Sequence, residues 1–308
     1  MQETIGNFTI EAFPPNISFP ALPSAVTQIM ERSRDPKAKL EDLAKIIETD
    51  TGLTLELLRR VNSASLGLRV RAGSVRLGLE ALGLRDSRNL MLTVGAKAAT
   101  QARHSRLINP ACFWNAALQK ALFARELAVL LNTDSDAAYA GALLQDFLLP
   151  VVTNELCGRY VEFIERRDQQ PITICDFERA EFGWDHALAG ACLAFAWNLP
   201  GDLVCCILFH HAGLDILNDS RLGQSPVAAV ALSALLPDQL RQCYNGLEQL
   251  RQLEQRWPAF NLKSVAETVD SKQAEAGLGI PNDFPLARRC KSVFTPGRKR
   301  NFEQQPLD

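Results

Sequence analysis

Three of the four histidines of this chain lie in one stretch, 181–211. His186 opens an apolar run, a break at 197–201 interrupts it, and a second apolar run ends at the adjacent pair His210 and His211. Imidazole is a common ligand for transition metals, so histidines that two consecutive helices bring together could hold a metal ion. The same hairpin could instead keep the histidines of a metal site whose other ligands have been lost.

The composition of the chain indicates a protein that folds on its own and carries little net charge. With 308 residues, of which 47% are hydrophobic, it can bury the core of one large or two modest domains. Its formal net charge of -2 gives no overall field that would attract nucleic acid or an anionic membrane. The N-terminal sequence lacks a basic start followed by an apolar core, and no apolar run could span a bilayer. We therefore expect a cytoplasmic protein without membrane contact.

Eight cysteines are scattered through apolar contexts, with no CxxC pair and no zinc-ribbon spacing. This distribution is typical of reduced, mostly buried thiols. The adjacent Cys205 and Cys206 could have a redox role, but they lie inside an apolar segment, where thiols are usually inert. We therefore expect the cysteines to be structural.

Helical periodicity continues along the chain, and no segment alternates with the period of two that a half-exposed strand requires. We therefore predict an all-α protein. Short amphipathic helices in 18–108 must pack together as an N-terminal helical bundle, because none of them is stable alone. Longer apolar helices in 109–237 form a second bundle, and 238–280 forms a helical extension. We predict a flexible arm at 1–17 and poor order in the tail 281–308.

Several motifs in the same order resemble those of one family. They are FPALPSAV (19–26), LEDLAKIIETDTGLTLELLRRVNSASLG (40–67), LLQD (143–146), EFGWDHALAG (181–190) and the histidine pair 210–211. Together they resemble the HDOD family, the HD-related output domains of bacterial signalling proteins. The resemblance covers 19–237.

This resemblance implies an N-terminal bundle packed on an HD-like helical bundle, the fold of the HD phosphohydrolases. Enzymes of that superfamily hold one or two metal ions with His and Asp ligands and direct a metal-bound water at phosphorus. The residues of this chain that match the ligand pattern are Asp146, His186, His210 and His211. They are the candidate residues of a cleft or a vestigial metal site.

Other positions of the implied pattern hold residues that bind metals poorly. Ala116 lies near the position of the first histidine, and Gln145 replaces the histidine of the His-Asp doublet. The last aspartate is expected in the helix after Pro226, where the sequence VAAVALSALL contains no carboxylate. The resemblance therefore implies a site that has lost several ligands.

Two interpretations of the retained residues stay open. Asp146, His186 and His210 could hold one divalent ion as a facial triad. Adjacent residues of a helix point about 100° apart, so we expect that His210 and His211 do not both reach the same ion. The preferred interpretation is that the four residues hydrogen-bond one another in the core or a cleft, as buried polar groups must. We therefore predict no catalytic residue, no metal and no other cofactor, with a single divalent ion as the alternative.

The preferred function is a non-enzymatic regulatory or interaction module of bacterial signal transduction. It would act on a signalling protein partner, or through a small-ligand cleft between the two bundles. One alternative is a metal-dependent phosphohydrolase that acts on nucleotides or cyclic dinucleotides. The other is a nucleic-acid-binding regulator that uses the basic residues of 288–300, although a solvated charged tail is the favoured interpretation of that segment.

Overall fold

The structure is a computed structural model that describes residues 24–33, 35, 37–62, 72–101, 105–197, 199–276 and 284–291. Every regular element in these residues is a helix, which confirms the predicted all-α class. None of the described helices is long and apolar enough to cross a membrane. The elements are α1 (Ser24–Arg32), α2 (Leu40–Glu48), α3 (Thr51–Val61), α4 (Val75–Gln101), α5 (Pro110–Leu130), α6 (Ser135–Leu144), α7 (Leu149–Glu155), α8 (Cys157–Gln169), α9 (Ile174–Phe182), α10 (His186–Ala196), α11 (Gly201–Phe209), a 3-10 helix (His210–Asn218), α12 (Pro226–Ser233), α13 (Gly246–Arg256), α14 (Leu262–Ala276) and α15 (Leu286–Arg289).

Helices α1 to α4 pack together through the apolar stripe that each one carries. The fully buried residues of these stripes include Val26, Ile47, Leu57 and Leu79. Gly83 interrupts α4 with φ 77° and ψ 162°, a conformation that glycine adopts at little cost. A short helical segment therefore precedes Gly83, and a longer one follows it.

The second group of helices is built around α5, which packs against α6, α12 and α14. Helices α6 and α11 approach so closely that a Cβ on Gly141 would lie 2.5 Å from Cys206 Cβ. Side chains cap the starts of several helices, as the sequence pattern favours; for example, Asn109 caps α5, Asp134 caps α6 and Asp185 caps α10. Close packing and capping fix the helix ends from which the candidate site residues project.

The C-terminal part of the described chain returns to α5. Asp270 of α14 accepts hydrogen bonds from the backbone N–H groups of Leu286 (2.7 Å) and Ala287 (2.9 Å), so it caps α15. Leu286 and Cys290, one helical turn apart, are fully buried. The segment 284–291 is therefore packed, although the sequence predicted poor order for it. The predicted N-terminal arm and the rest of the tail lie outside the described residues.

Candidate functional site

The four residues that the sequence selected lie together in the structure. One ligand atom from each of Asp146, His186, His210 and His211 lies within 4.8 Å of every other. We call these four residues the histidine cluster. The predicted set is therefore one site, although its members are far apart in the sequence.

Three separate segments position the cluster. Asp146 lies in the turn between α6 and α7. His186 is the first residue of α10, where the Asp185 carboxylate caps the helix by accepting from Leu188 N at 2.8 Å. His210 and His211 begin the 3-10 helix directly after α11.

The rings of His210 and His211 lie close together, and the prediction that they do not both reach the same ion stays a prediction. Helix α11 ends at Phe209, so the pair does not lie inside a regular α-helix. The two rings face each other with centroids 4.1 Å apart and planes at 45°. The pair lies where the α-helix changes to a 3-10 helix, and the Nε2 atoms of both rings lie near His186 Nε2.

The spacing of Asp146, His186 and His210 fits one metal ion. His186 Nε2 lies 3.3 Å from His210 Nε2 and 3.2 Å from His211 Nε2. Asp146 Oδ1 lies 3.3 Å from His210 Nε2 and 3.5 Å from His186 Nε2. Ligands that surround an ion tetrahedrally at about 2.0–2.2 Å are separated from one another by about 3.3–3.6 Å. Asp146 Oδ1 is buried and makes no well-formed hydrogen bond with the described residues, as expected for an atom that faces a cation.

Groups behind the cluster hold the rings of two histidines. His186 Nδ1 lies 2.7 Å from Glu178 Oε2, which also accepts from the His186 backbone N–H at 2.9 Å. Tyr160 donates its hydroxyl to Glu178 Oε1 at 2.6 Å. His210 Nδ1 lies 2.6 Å from the carbonyl oxygen of Ile207. In both rings Nδ1 is held from behind and Nε2 points into the cluster, which is the orientation of metal-binding histidines.

Burial and charge perturb the titration of the cluster. Burial alone lowers the pKa of His186, but the carboxylates of Glu178 and Asp146 outweigh it and raise this pKa to about 10. Burial, followed by the neighbouring histidines, lowers the pKa of His211 well below its usual value. Burial acts to raise the pKa of Asp146, but Lys120 and the histidines hold it well below its usual range. Among the groups that lower the pKa of Asp146, the Lys120 ammonium has the largest effect.

Sequence reasoning missed Lys120, which completes the site. Its ammonium nitrogen lies 2.8 Å from Asp146 Oδ2 and 2.9 Å from Asp238 Oδ2. Burial acts to lower the pKa of Lys120, but the two carboxylates outweigh it and raise the pKa to about 12. The available signal was a lysine in the middle of a helix that is apolar on most of its surface. Such a charge is buried only when it is paired.

The positions implied to have lost their ligands border this ion pair. Ala116 lies one turn before Lys120 on α5 and lines a cavity of about 20 Å³ with Lys120, Asp146 and Asp238. Gln145 donates to Asp146 Oδ2 at 3.2 Å and accepts from Ser233 Oγ at 3.4 Å. Ser233 belongs to α12, the helix in which the last aspartate was expected. A carboxylate, Asp238, does reach the site, but it follows that helix.

A larger cleft opens beside the cluster. Its volume is about 680 Å³, and His210 and His211 form part of its wall. Other residues of the wall are Thr173, Cys175, Arg179, Asp185, Leu188, Leu208, Tyr244, Asn245 and Gln249. Arg179 forms a 2.7 Å ion pair with Asp185 at its edge. The residues of this cleft come from α9 to α13, whereas the sequence placed a small-ligand cleft between the two bundles.

The HDOD domain model matches residues 19–213, which is more than half of the chain, so the chain belongs to the HDOD family. An uncharacterized protein from Treponema pallidum (strain Nichols) is 30% identical over 196 residues, which are 62% of this chain and 37% of that relative. The chain thus spans little more than a third of that relative's length.

Two solved structures have the same fold. An HDOD domain protein with unknown function from Geobacter sulfurreducens is 18% identical and has a TM-score of 0.61, with 95% of this chain and 93% of that chain covered. A proposed signal transduction protein from Marinobacter aquaeolei VT8 is 19% identical and has a TM-score of 0.63, with 90% and 64% covered. Family and fold therefore agree with the resemblance that the sequence motifs carried.

Proposed function

We propose that this HDOD domain is a non-enzymatic regulatory module of bacterial signal transduction, which acts through a partner protein or a small ligand bound in the cleft. The observation that carries the proposal is the ion pair of Lys120 with Asp146. Asp146 is the one acidic member of the histidine cluster, and its Oδ2 is already neutralised by a buried ammonium at 2.8 Å. In a hydrolase, an aspartate at this position must help to hold ions that leave a coordination position open for water.

The burial of the cluster supports the same conclusion. His186 is 1% exposed, His210 is 0% and Asp146 is 5%. A phosphoester must bring its phosphorus to within reach of a water bound at the reacting centre. Only His211 of the cluster is half-buried. A ligand in the cleft can contact His210 and His211, which line it, whereas Asp146 and His186 are not among its lining residues.

Whether an ion binds is a separate question from catalysis. Asp146, His186 and His210 fit one divalent ion, whereas His211 Nε2 lies 3.2 Å from Gln242 Oε1 as well as from His186 Nε2. An ion held by these three residues would connect the α6–α7 turn, α10 and the 3-10 helix. Such a link is a structural role, which agrees with a non-enzymatic module.

The spacing of the cluster is also the observation that favours the alternative, a metal-dependent phosphohydrolase. An assay of phosphoester hydrolysis distinguishes the two functions. Protein loaded with Mn²⁺, Fe²⁺ or Zn²⁺ is assayed on p-nitrophenyl phosphate, bis-p-nitrophenyl phosphate and cyclic dinucleotides, beside the Asp146→Asn variant. We expect equal background rates for both proteins. Metal-dependent turnover that is lost in Asp146→Asn would establish the hydrolase instead.

Substitution of a residue in the cleft wall tests the signalling role. Tyr244 lines it and is 56% exposed, so Tyr244→Asp changes its surface without removing core packing. Leu55 is 62% exposed on α3 and provides a matched control, Leu55→Asp. Partners captured by crosslinking in the source bacterium should disappear with Tyr244→Asp and persist with Leu55→Asp. Equal capture by both variants would exclude the cleft as the contact surface.

A further inference from the structure

We propose that Lys120 is a built-in cation, whose ammonium fills a second cation site formed by Asp146 and Asp238 and so limits the protein to one metal ion. This proposal concerns the side of Asp146 that faces away from the histidines. It does not depend on whether the protein is an enzyme.

The ammonium occupies the position of a bound ion. Its nitrogen lies 2.8 Å and 2.9 Å from one oxygen of each aspartate, and the side chains of Lys120, Asp146 and Asp238 are 3%, 7% and 9% exposed. Two carboxylates that share one buried point repel each other strongly unless a cation lies between them. The chain supplies that cation from α5.

Asp146 faces two cation positions with its two oxygens. Oδ2 contacts Lys120, whereas Oδ1 points to the Nε2 atoms of His210 (3.3 Å) and His186 (3.5 Å). A carboxylate shared between two neighbouring positive centres is the arrangement expected of a two-metal site, in which the ions lie about 3.5–4 Å apart. In this chain the ammonium nitrogen of Lys120 occupies one of the two positions.

The surroundings of Lys120 suit a hard divalent ion once the ammonium is removed. Asp146 and Asp238 supply carboxylate oxygen atoms, which Mg²⁺ and Mn²⁺ prefer. Gln242 fixes Asp238 through a 2.7 Å hydrogen bond to Oδ2, and Gln145 contacts Asp146 Oδ2 at 3.2 Å. The cavity of about 20 Å³ beside Ala116 has room for a water molecule. Shortening the lysine side chain would enlarge this space.

The test counts ions in the full chain. Wild type, Lys120→Ala and the double variant Lys120→Ala/Asp238→Asn are titrated with Mn²⁺ by calorimetry, and bound metal is measured after removal of free ion. We expect Lys120→Ala to bind one more Mn²⁺ per chain than wild type, and the double variant to lose this additional ion. A folded Lys120→Ala variant that binds no additional ion, or a wild-type chain that binds two, would overturn the proposal.

A second variant covers the case in which Lys120→Ala does not fold. Lys120→Met keeps most of the side-chain volume and removes only the charge. Its melting temperature should rise when Mn²⁺ replaces EDTA, by more than that of wild type, because the ion restores the missing charge. Equal Mn²⁺ shifts in wild type and Lys120→Met would contradict the proposal. Neither measurement uses turnover. A failure of the proposal about Lys120 can therefore be distinguished from a failure of the proposed function.

Discussion

The ammonium nitrogen of Lys120 lies 2.8 Å from Asp146 Oδ2, in a pair whose side chains are 3% and 7% exposed. This contact joins the middle of α5 to the turn after α6 and places a permanent positive charge beside the histidine cluster. Because the same carboxylate turns its other oxygen towards His186 and His210, the pair links the stability of the helical bundle to the electrostatics of the candidate site.

Removal of the Lys120 charge should destabilise the fold in metal-free buffer. Lys120→Met leaves Asp146 and Asp238 buried without their cation, and breaking a buried ion pair in this way costs about 3–5 kcal/mol. The free energy of unfolding is measured by urea denaturation in EDTA. Arg32→Met removes the exposed ion pairs with Asp35 and Asp42 and is the control, with an expected cost below about 1 kcal/mol. Equal costs for the two variants would contradict a buried, charged Lys120.

Glu178 should control ion affinity without touching the ion. Its carboxylate holds His186 Nδ1 at 2.7 Å, so Glu178→Gln weakens the contact that orients the ring. Loss of such a supporting group typically lowers metal affinity by about 10–100-fold. Competition with a chromogenic chelator measures Zn²⁺ affinity for wild type, Glu178→Gln and His186→Ala. We expect the three affinities to fall in that order; unchanged Zn²⁺ affinity in His186→Ala would show that the cluster does not hold the ion.

The hydroxyl of Tyr160 should contribute to stability separately from the buried ring. It is fully buried and donates to Glu178 Oε1 at 2.6 Å. Tyr160→Phe preserves the ring but leaves a buried carboxylate oxygen without this donor, which costs about 1–3 kcal/mol. Urea denaturation gives the value. In the Glu178→Gln background the cost should shrink, because the acceptor is then neutral; an identical cost in both backgrounds would indicate that the bond does not matter.

The packing of α15 should depend on Asp270. Its carboxylate accepts from Leu286 N and Ala287 N, and removal of a helix-capping side chain typically costs about 0.5–2 kcal/mol. Limited proteolysis should cut Asp270→Ala near 284–291 at least several-fold faster than wild type. Asp270→Asn keeps an acceptor and is the matched control with a smaller effect. Equal cleavage rates in all three proteins would show that the cap does not hold the segment.

Local signals in the sequence determined much of the fold. Apolar periodicity predicted helices throughout. The glycine at position 83 suits the positive φ that interrupts α4, and Asp134 is a residue type that favours the N-cap position it takes in α6. These features depend on residues a few positions apart, so the chain itself specifies them. The family motifs by themselves also point to Asp146 and the three histidines.

Tertiary structure decided what surrounds those four residues. Lys120 and Asp238 meet Asp146 only because α5 and the segment after α12 pack on the α6–α7 turn, and no local spacing encodes that contact. The rings of His210 and His211 approach each other where the α-helix gives way to a 3-10 helix after Phe209, a change that the helical rule of about 100° per residue does not include. The physical reason is that helix periodicity arises from neighbours in the chain, whereas charge pairing in a buried site depends on which distant segments share one low-dielectric space.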